Sequence, residues 1–406
     1  MGEVNVSRVQ LSESWPFARD RACPVLPPPR LAEIRKLDRL VDIELYDGTP
    51  CTLATRYDDV RAIMMHPNTS SDATLEGFPY ISAASRANRG ERRTMERTDP
   101  PRHDELRSML AAEFTIKKIR AYRPFLEALV ERLLDQMEAA GPPADLVASL
   151  AEPVPAAVIC ELLDLPADDA PFFNERVHTW MNDLGDPRDI ARAMTDITDY
   201  FERLIDVRAD GGGQDLVSRL IRDQLQTGKI SRPDLLLMFH LLITAGFDTT
   251  ANSIALGTMA LLEDGDAWRQ LAADPTLAAG AVEELQRYLS VAHNAVFRLT
   301  RGPVEIGDDV IPANHAVIAS TLAANHDPDH YPDPARVDLN RDARDHLAFG
   351  VGLHQCLGQA LARIELQVVF ERLPQRFPGL RLDASVDDLR FRQAIVYGVE
   401  TLPVRW

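Results

Sequence analysis

The chain has 406 residues, 45% of them hydrophobic, so it can bury a large core, and its length alone allows two to three domains. A formal net charge of −18 makes the average surface repel phosphate backbones and anionic lipid, which argues against nucleic-acid binding and membrane association. The four cysteines show neither zinc-site spacing nor a disulfide framework, and a reducing cytoplasm is expected. The N-terminus lacks the pattern of a signal peptide or membrane anchor.

The first sixty residues predict a helix followed by a small sheet. A proline-rich segment at residues 24–29 precedes a short helix predicted over residues 31–40. Between residues 41 and 60, apolar residues alternate around Asp47-Gly48-Thr49-Pro50, a turn sequence that predicts a hairpin.

A long helical region follows. The stretch at residues 99–107 is predicted to open one helix, with Asp99 as a cap ahead of the prolines. His103 and Arg107 share a face because they lie four residues apart. From about residue 115 to 265 the apolar spacing is mostly helical and is broken by glycine-containing loops.

The longest apolar segment begins at residue 235. A capping-box pattern at residues 231–234 predicts a helix start, and the helical pattern continues through residue 262. Its uninterrupted apolar part is too short to cross a bilayer, so we predict the buried central helix of a large domain. Asp248 interrupts this helix and should be paired or face a wet cavity. The neighbouring Thr249 could simply bond its own helix at i−4.

The last third adds short strands to the helices. Glu284 and Arg287 lie at i and i+3 on one helix face, a spacing that usually gives a solvated surface pair. After Arg298, short strand-like runs alternate with turns rich in proline and aspartate. The fold class is therefore predicted as mainly α with a minor β part, with a single domain over residues 1–406.

The most informative stretch is Phe-Gly-Val-Gly-Leu-His-Gln-Cys-Leu-Gly at residues 349–358. Its three glycines let the backbone adopt positive φ and approach a flat ligand closely, and a strongly helical segment follows. Cys356 is thus predicted at a helix N-terminus, which stabilises the thiolate that binds a metal. A lone cysteine is ordinarily a small buried hydrophobe, but the glycines and His354 favour a ligand here.

This stretch resembles the haem-binding loop of cytochromes P450, in which Phe, two Gly, a basic residue and Cys fall at these spacings. The resemblance covers almost the whole chain and is closest to the soluble bacterial enzymes, including actinobacterial enzymes that modify secondary metabolites. It implies a triangular helical body around haem b with a small β-rich region, and Cys356 as the ligand to the iron. Phe349 would pack near the sulfur.

The resemblance also implies residue roles. His103 and Arg107 would bind one haem propionate, Arg298 would bind the other, and His354 would also bond a propionate. The full set of implied cofactor contacts is His103, Arg107, Ala245, Gly246, Arg298, Phe349, Gly350, His354, Cys356 and Gly358.

Residues 245–250 resemble the oxygen-binding groove of the family. By that resemblance Gly246 makes room for dioxygen, Thr249 holds the bound oxygen and Asp248 passes protons inward, so Asp248 and Thr249 are the predicted catalytic residues. Glu284 and Arg287 look like the structural Glu-x-x-Arg element of the family, with Arg336 expected in the third position.

The implied substrate contacts are mostly apolar, which favours a hydrophobic or aromatic small molecule. They are Phe78, Ile81, Leu242, Ala245, Ala295, Val296 and Ile395. The region from Phe173 to Leu184 is a further expected contact, and His293 and Asn294 could orient a polar group or face solvent.

The predicted function is a monomeric haem-thiolate monooxygenase that hydroxylates or oxidatively couples one small molecule. No flavin or iron–sulfur segment follows the haem loop, so NAD(P)H electrons are expected through ferredoxin and ferredoxin reductase. Lys117, Lys118 and Arg363 could dock an acidic ferredoxin or could be ordinary solvated charges.

Two alternative functions remain. A loose similarity to nitric-oxide reductases near Phe78 allows nitric-oxide reduction, or peroxide-driven oxidation without a redox partner. A haem-binding sensor or carrier is the other class, and Asp248 and Thr249 argue against it because a sensor needs no proton route.

Overall fold

The computed structural model describes residues 9–89, 93–181, 186–209, 211, 213–293, 296–392 and 395–406. Helices dominate and the strands are short, in agreement with the predicted fold class. The chain divides into two compact units. Unit 1 comprises Met1–Asp99 with Glu283–Cys356, and unit 2 comprises Pro100–Val282 with Leu357–Trp406.

The α-helices of the described residues supply most of unit 2. In chain order they are α1 (Pro29–Leu37), α2 (Tyr57–Met65), α3 (Ala83–Arg89), α4 (Arg102–Ala111), α5 (Ile116–Ala121), α6 (Arg123–Ala140), α7 (Pro153–Leu163), α8 (Ala170–Met181), α9 (Pro187–Arg208), α10 (Leu216–Leu220), α11 (Arg232–Asp264), α12 (Asp266–Ala273), α13 (Ala278–Leu289), α14 (Thr321–Ala324) and α15 (Gln359–Arg376).

The strands of the described residues belong mainly to unit 1. They are β1 (Val9–Ser14), β2 (Leu40–Glu44), β3 (Pro50–Ala54), β4 (Thr69–Ser70), β5 (Ala144–Asp145), β6 (Phe297–Thr300), β7 (Val304–Ile306), β8 (Asp309–Ile311), β9 (Ala316–Ala319), β10 (Arg381–Leu382), β11 (Phe391–Arg392), β12 (Gly398–Val399) and β13 (Pro403–Arg405).

Unit 1 is organised around a six-stranded sheet in the order β1-β2-β3-β9-β6-β4. Strands β2 and β3 form the predicted hairpin, with Val41 opposite Leu53, and Gly48 in the turn has a φ of +80° that favours glycine. Strand β3 pairs in parallel with β9, and the alternate residues of these strands enter two buried apolar clusters. The sheet therefore carries the core of this unit.

Unit 2 is built on α11, which packs against α7, α8, α9, α12 and α15. The predicted helix start is confirmed, because Ser231 is the N-cap and its hydroxyl accepts from the Asp234 N–H while donating to the Asp234 carboxylate at 2.8 Å. Contrary to our expectation, α11 is long and apolar enough to span a membrane by length and composition. Within the fold, 67% of the most apolar 18-residue stretch of this helix is buried.

Two local predictions are wrong. Helix α1 ends at Leu37, because Leu40 already begins strand β2, whereas the prediction extended the helix to residue 40. Asp99 does not cap α4, whose N-cap is Pro101. The Asp99 carboxylate instead accepts hydrogen bonds from the Ser71 N–H at 2.9 Å and from the Ser70 hydroxyl, so it anchors the end of strand β4.

Candidate functional site

The loop before α15 presents the Cys356 thiol at the surface of unit 1. The Cys356 N–H donates to the Phe349 carbonyl oxygen at 2.8 Å, which closes the loop into a fixed ring. Gly350 and Gly352 have φ of +67° and +77°, so side-chain-bearing residues would be strained at both positions. The thiol itself is exposed, an arrangement that suits a ligand to a metal on the open side of the loop.

Helix α15 begins at Gln359, three residues after Cys356, with Gly358 as its N-cap. The cysteine therefore lies just ahead of the helix rather than in its first turn. Gly358 has an ordinary φ of −80°, and a Cβ at this position would meet open space. Glycine is thus not required here by backbone strain or by packing within the protein, and the space beside it fits the close approach of a flat ligand.

Arg298 in strand β6 is a buried cation. Its Nη1 donates to the Phe297 carbonyl oxygen at 2.8 Å, and no carboxylate of the described residues lies within ion-pair distance. Burial lowers the pKa of Arg298 to about 10, and the more distant Asp99 carboxylate opposes that shift only in part. A buried guanidinium of this kind fits an anionic partner such as a haem propionate.

His103 and Arg107 both lie on α4, where the four-residue spacing places them on one face, as predicted. His103 is buried and its Nδ1 lies 2.8 Å from the Asp104 carboxylate, while Arg107 is half-buried. His354 closes the short turn Gly352–His354 ahead of Cys356. Nitrogen donors of this kind suit an anionic group such as a haem propionate.

Helix α11 has a single accessible strip. Between residues 235 and 261, partial or full exposure recurs at four-residue intervals, at Leu237, Leu241, Ala245 and Thr249. Gly246 lies beside this strip, and the rest of this part of the helix is buried. Residues four apart lie one above the other on a helix, so these positions form one continuous strip. The strip is the part of the helix that a bound molecule can reach.

Thr249 carries the polar group of this strip. Its hydroxyl donates to the Ala245 carbonyl oxygen at 2.7 Å, the i−4 bond that we kept as an alternative. A hydroxyl that donates one hydrogen bond keeps two acceptor lone pairs, so Thr249 can still accept a hydrogen bond from a bound molecule. The bond to Ala245 therefore orients the hydroxyl and leaves its acceptor sites available.

Gly246 has a packing role that the sequence did not reveal. A Cβ at this position would lie 2.2 Å from the Ile159 Cδ1 of α7, so any larger residue here would force the Ile159 side chain to move. The room for dioxygen that the resemblance assigns to Gly246 stays a prediction.

Asp248 is buried and paired, as its position in an apolar helix requires. Its Oδ1 accepts from the Asn252 Nδ2 at 2.9 Å and from the Arg392 Nη2 at 3.0 Å. Its Oδ2 is buried and has no hydrogen-bond partner in the described part of the chain. Arg392 was missed by sequence reasoning, since nothing in the local pattern connects it to a residue 144 positions away.

His178 on α8 adds a titratable group near this pair. Burial and the Arg392 guanidinium lower the pKa of His178, while the Asp248 and Glu152 carboxylates act in the opposite direction. The Glu152 Oε1 lies 3.9 Å from the His178 Nδ1. The imidazole is therefore mainly neutral at pH 7.

Glu284 and Arg287 form a fully buried pair, with the Arg287 Nε and Nη2 donating to the two Glu284 oxygens at 2.7 and 2.8 Å. The third arginine is Arg341, whose Nε donates to the Glu284 Oε1 at 3.2 Å. Our assignment of Arg336 to that position is wrong. Its side chain is exposed, and only its backbone carbonyl accepts from Arg287.

The predicted substrate contacts differ in accessibility. Phe78 and Ile81 are half-buried against one core cluster of unit 1, and Val296 is half-buried against the other. Leu242 and Ile395 are buried, and Ala245 is exposed. Ala295 lies outside the described residues.

In each of two other regions that we expected near substrate, one predicted residue is buried. Phe173 is fully buried in an aromatic cluster with Tyr200 and Phe201, although Leu184 at the end of its region lies outside the described residues. His293 is buried with its Nδ1 2.6 Å from the Arg19 Nη2, so it does not face solvent, and Asn294 lies outside the described residues.

Comparisons with known proteins agree with this set of features. Residues 186–389 match the family model for Cytochrome P450. Cytochrome P450-SU2 from Streptomyces griseolus is 39% identical over 392 residues, covering 96% of each chain. The crystal structure of GfsF, a Streptomyces halstedii cytochrome P450, is 38% identical and superposes with a TM-score of 0.91 over 97% of this chain and 100% of that one.

A second solved structure has the same extent of similarity. The mycinamicin VIII C21 methyl hydroxylase MycCI from Micromonospora griseorubida, bound to mycinamicin VIII, is 35% identical with a TM-score of 0.90. The match covers 97% of this chain and 100% of that chain.

Proposed function

Because the chain belongs to the cytochrome P450 family of monooxygenases, we propose that it hydroxylates or oxidatively couples one predominantly apolar small molecule in a secondary-metabolite pathway. Cys356 would ligate the haem iron, with Phe349, Gly350 and Gly358 around it. The remaining contacts of the cofactor would be His103, Arg107, Ala245, Gly246, Arg298 and His354.

When bound, haem supplies the iron at which dioxygen is reduced and its O–O bond is cleaved. The observation that carries the proposal is the adjacent pair on α11, in which Thr249 lies on the accessible strip and Asp248 is buried beside it in an ion pair. Thr249 would orient a proton at the reaction site through its hydroxyl, and Asp248 would resupply it. A protein that only stored or sensed haem would need neither group.

The accessible part of the site favours an apolar substrate. Leu237, Leu241 and Ala245 are the other accessible side chains of the α11 strip, and they offer no charge to a bound molecule. Phe78, Ile81 and Val296 are half-buried apolar residues available for the same purpose. Contacts of this kind bind hydrophobic or aromatic molecules. We place the enzyme in the cytoplasm, with electrons from a ferredoxin and its reductase.

The decisive experiment supplies the purified holoenzyme with NADPH, a ferredoxin and ferredoxin reductase under oxygen. Candidate substrates are first ranked by the shift that they cause in the haem spin state, starting with mycinamicin VIII, terpenoids and indole peptides. We expect oxygen-dependent product in proportion to NADPH consumed. Product from peroxide alone, or nitric-oxide consumption driven directly by NADH, would favour the alternative functions instead.

Replacement of the ligand tests the haem assignment separately. Cys356→Ser should abolish the carbon-monoxide difference band that is characteristic of thiolate-ligated ferrous haem, because serine is not ionised at neutral pH. Cys23→Ser is the matched control, since that thiol is also exposed. If Cys356→Ser kept the band, another residue would have to be the ligand.

A further inference from the structure

The strongest unassigned feature lies where the β11–β12 hairpin meets α11 in unit 2. Arg392 on β11 is paired across the hairpin with Gly398 on β12. Arg392 reaches Asp248 through its Nη2 and also lies 3.3 Å from the Asn252 Oδ1. Two neighbouring positions of α11 are therefore held by one guanidinium from the C-terminal hairpin.

Gly398 fixes how closely the hairpin approaches the helix. A Cβ at Gly398 would lie 1.8 Å from the Asn252 Oδ1 and 2.4 Å from its Cγ, so an added side chain would displace either the Asn252 amide, which bonds Asp248, or the hairpin itself. Gly398 has no positive φ, so the close contact with Asn252, and not the backbone conformation, limits side-chain size here. Because Arg392 is in register with Gly398, a displacement of one strand moves the other.

The ion pair uses only one oxygen of Asp248. Arg392 and Asn252 both donate to Oδ1, while Oδ2 has no hydrogen-bond partner among the described residues. The Asp248 and Arg392 side chains are 6% and 11% exposed, so water contributes little to holding either group. A carboxylate anchored by one oxygen keeps its second oxygen available to take up and release a proton.

We propose that Arg392 is the positioning residue for Asp248 and that Gly398 seats the hairpin so that this pairing is made. In this arrangement the Asp248 Oδ1 is anchored by Arg392, and the Asp248 Oδ2 takes up and releases the proton. The inference rests on the proposed function, because it assumes that Asp248 delivers protons.

The first test needs no turnover. Urea unfolding is measured on the wild-type holoenzyme, on Arg392→Gln, on Asp248→Asn and on the double variant. The change in the equilibrium constant of unfolding caused by Asp248→Asn is then compared between the wild-type and the Arg392→Gln backgrounds. We expect that change to be about tenfold smaller when Arg392 is already replaced, since contacting residues couple by amounts of this order. Additive effects would show that Arg392 does not hold Asp248 and would overturn the inference.

The second test measures proton delivery. NADPH oxidation, hydrogen peroxide and product are followed together with a ferredoxin, its reductase and 7-ethoxycoumarin as the probe. Arg392→Gln should slow NADPH oxidation about tenfold and increase its solvent deuterium isotope effect, because positioned acid–base groups contribute about 10²–10⁴-fold and misplacement loses part of that. Arg392→Lys should restore the rate to within about threefold, since it keeps the charge.

Matched controls come from the same region of the chain. Arg390→Gln removes the same charge two residues earlier on an exposed side chain and should leave the rate and isotope effect unchanged. Gly398→Ala should reproduce the Arg392→Gln effect without changing any charge, whereas Gly379→Ala, whose Cβ would meet nothing, should not. Arg392→Gln behaving like Arg390→Gln would overturn the inference.

Failure of the proposed function is distinguishable from failure of this inference. A wild-type enzyme that keeps the thiolate band but oxidises no NADPH would refute oxygen activation. The urea cycle would still decide whether Arg392 positions Asp248.

Discussion

Thr249 and Asp248 are adjacent in the chain but lie in different environments. Thr249 is part of the accessible strip of α11 and bonds its own helix, whereas Asp248 is buried and tied to residues of another element. Because the Thr249 hydroxyl is accessible and the Asp248 carboxylate is buried, substitutions of the two residues should have different effects on the reaction.

Thr249→Ala should fold and bind haem normally, because it loses one helical hydrogen bond with a net value of about 1 kcal/mol. It should continue to oxidise NADPH but divert most electrons to hydrogen peroxide, measured as product and peroxide per NADPH. Thr244→Ala is the control, since Thr244 makes the same i−4 bond, to the His240 carbonyl, from a buried position off the strip. Equal coupling in the two variants would contradict a role for the Thr249 hydroxyl.

Asp248→Asn should slow the whole cycle by about 100-fold or more, because an amide cannot carry the proton that the carboxylate supplies. Single-turnover oxidation measured in H₂O and D₂O would locate the effect in proton transfer through a larger isotope effect. Unchanged coupling and rate would show that protons reach the site by another route.

At the scale of elements, the buried Glu284–Arg287 pair ties α13 to the segment that follows α14. Arg287 donates to the carbonyl oxygens of Asn325 and Pro334, and Arg341 adds a third cation to Glu284. A buried pair with all its hydrogen bonds made is costly to break, because a charge is then left unpaired.

Arg341→Gln should destabilise the folded enzyme by about 3 kcal/mol, measured by urea unfolding of the holoenzyme, because it removes a cation from a fully buried carboxylate. Arg336→Gln should change stability by less than about 0.5 kcal/mol, since that side chain is exposed. The reverse ranking would restore Arg336 as the third arginine.

Helix α15 also contains a buried carboxyl group, that of Glu365. Burial raises the pKa of Glu365 from 4.5 to about 8, and its Oε2 has no partner in the described residues. The folded protein therefore retains this proton between pH 4.5 and 8 while the unfolded chain releases it. Its contribution to stability is complete below pH 4.5 and is lost as the pH rises towards 8.

Glu365→Gln should raise the melting temperature at pH 8 and change it little at pH 5, because the amide cannot ionise. Each unit by which the pKa of Glu365 is raised corresponds to about 1.4 kcal/mol of folding free energy that ionisation removes. Thermal unfolding of the holoenzyme at both pH values measures this difference. Glu76→Gln, an exposed substitution, should leave the pH dependence unchanged. A melting temperature equally altered at both pH values would indicate a packing effect instead.

At the scale of the whole molecule, a net charge of −18 disfavours an acidic redox partner unless a local patch is positive. Helix α5 packs on α15 within unit 2, and these two helices carry Lys117, Lys118 and Arg363. Lys117 is exposed, Lys118 pairs with Glu113 at 2.8 Å and the Arg363 Nη1 donates to Gln359 at 2.8 Å. Part of the positive charge is thus neutralised locally, and docking stays a prediction.

Neutralising all three residues to Gln should reduce the rate of ferredoxin-dependent reduction about tenfold at low salt and flatten its salt dependence, because steering by charge is screened. Stopped-flow reduction over a range of ionic strength measures both. Arg188, Arg192 and Arg203 on the exposed side of α9 provide a control triple variant of equal charge change. Identical behaviour of the two triple variants would refute the docking patch.

The sequence by itself determined the features whose cause is local. The turn at Gly48, the Ser231 cap of α11 and the glycine-bearing loop before Cys356 each follow from residues close together in the chain, because backbone conformation and capping act over a few positions. Apolar periodicity likewise predicted a mainly helical fold with a minor sheet.

Only the tertiary structure decided which polar side chains meet. Arg341 rather than Arg336 reaches Glu284, and Arg392 reaches Asp248 across 144 residues. Charged residues occur along the whole chain with no period that marks their partners, so their pairing is selected by how buried elements pack. The cost of leaving a charge buried and unpaired then makes those few long-range contacts obligatory.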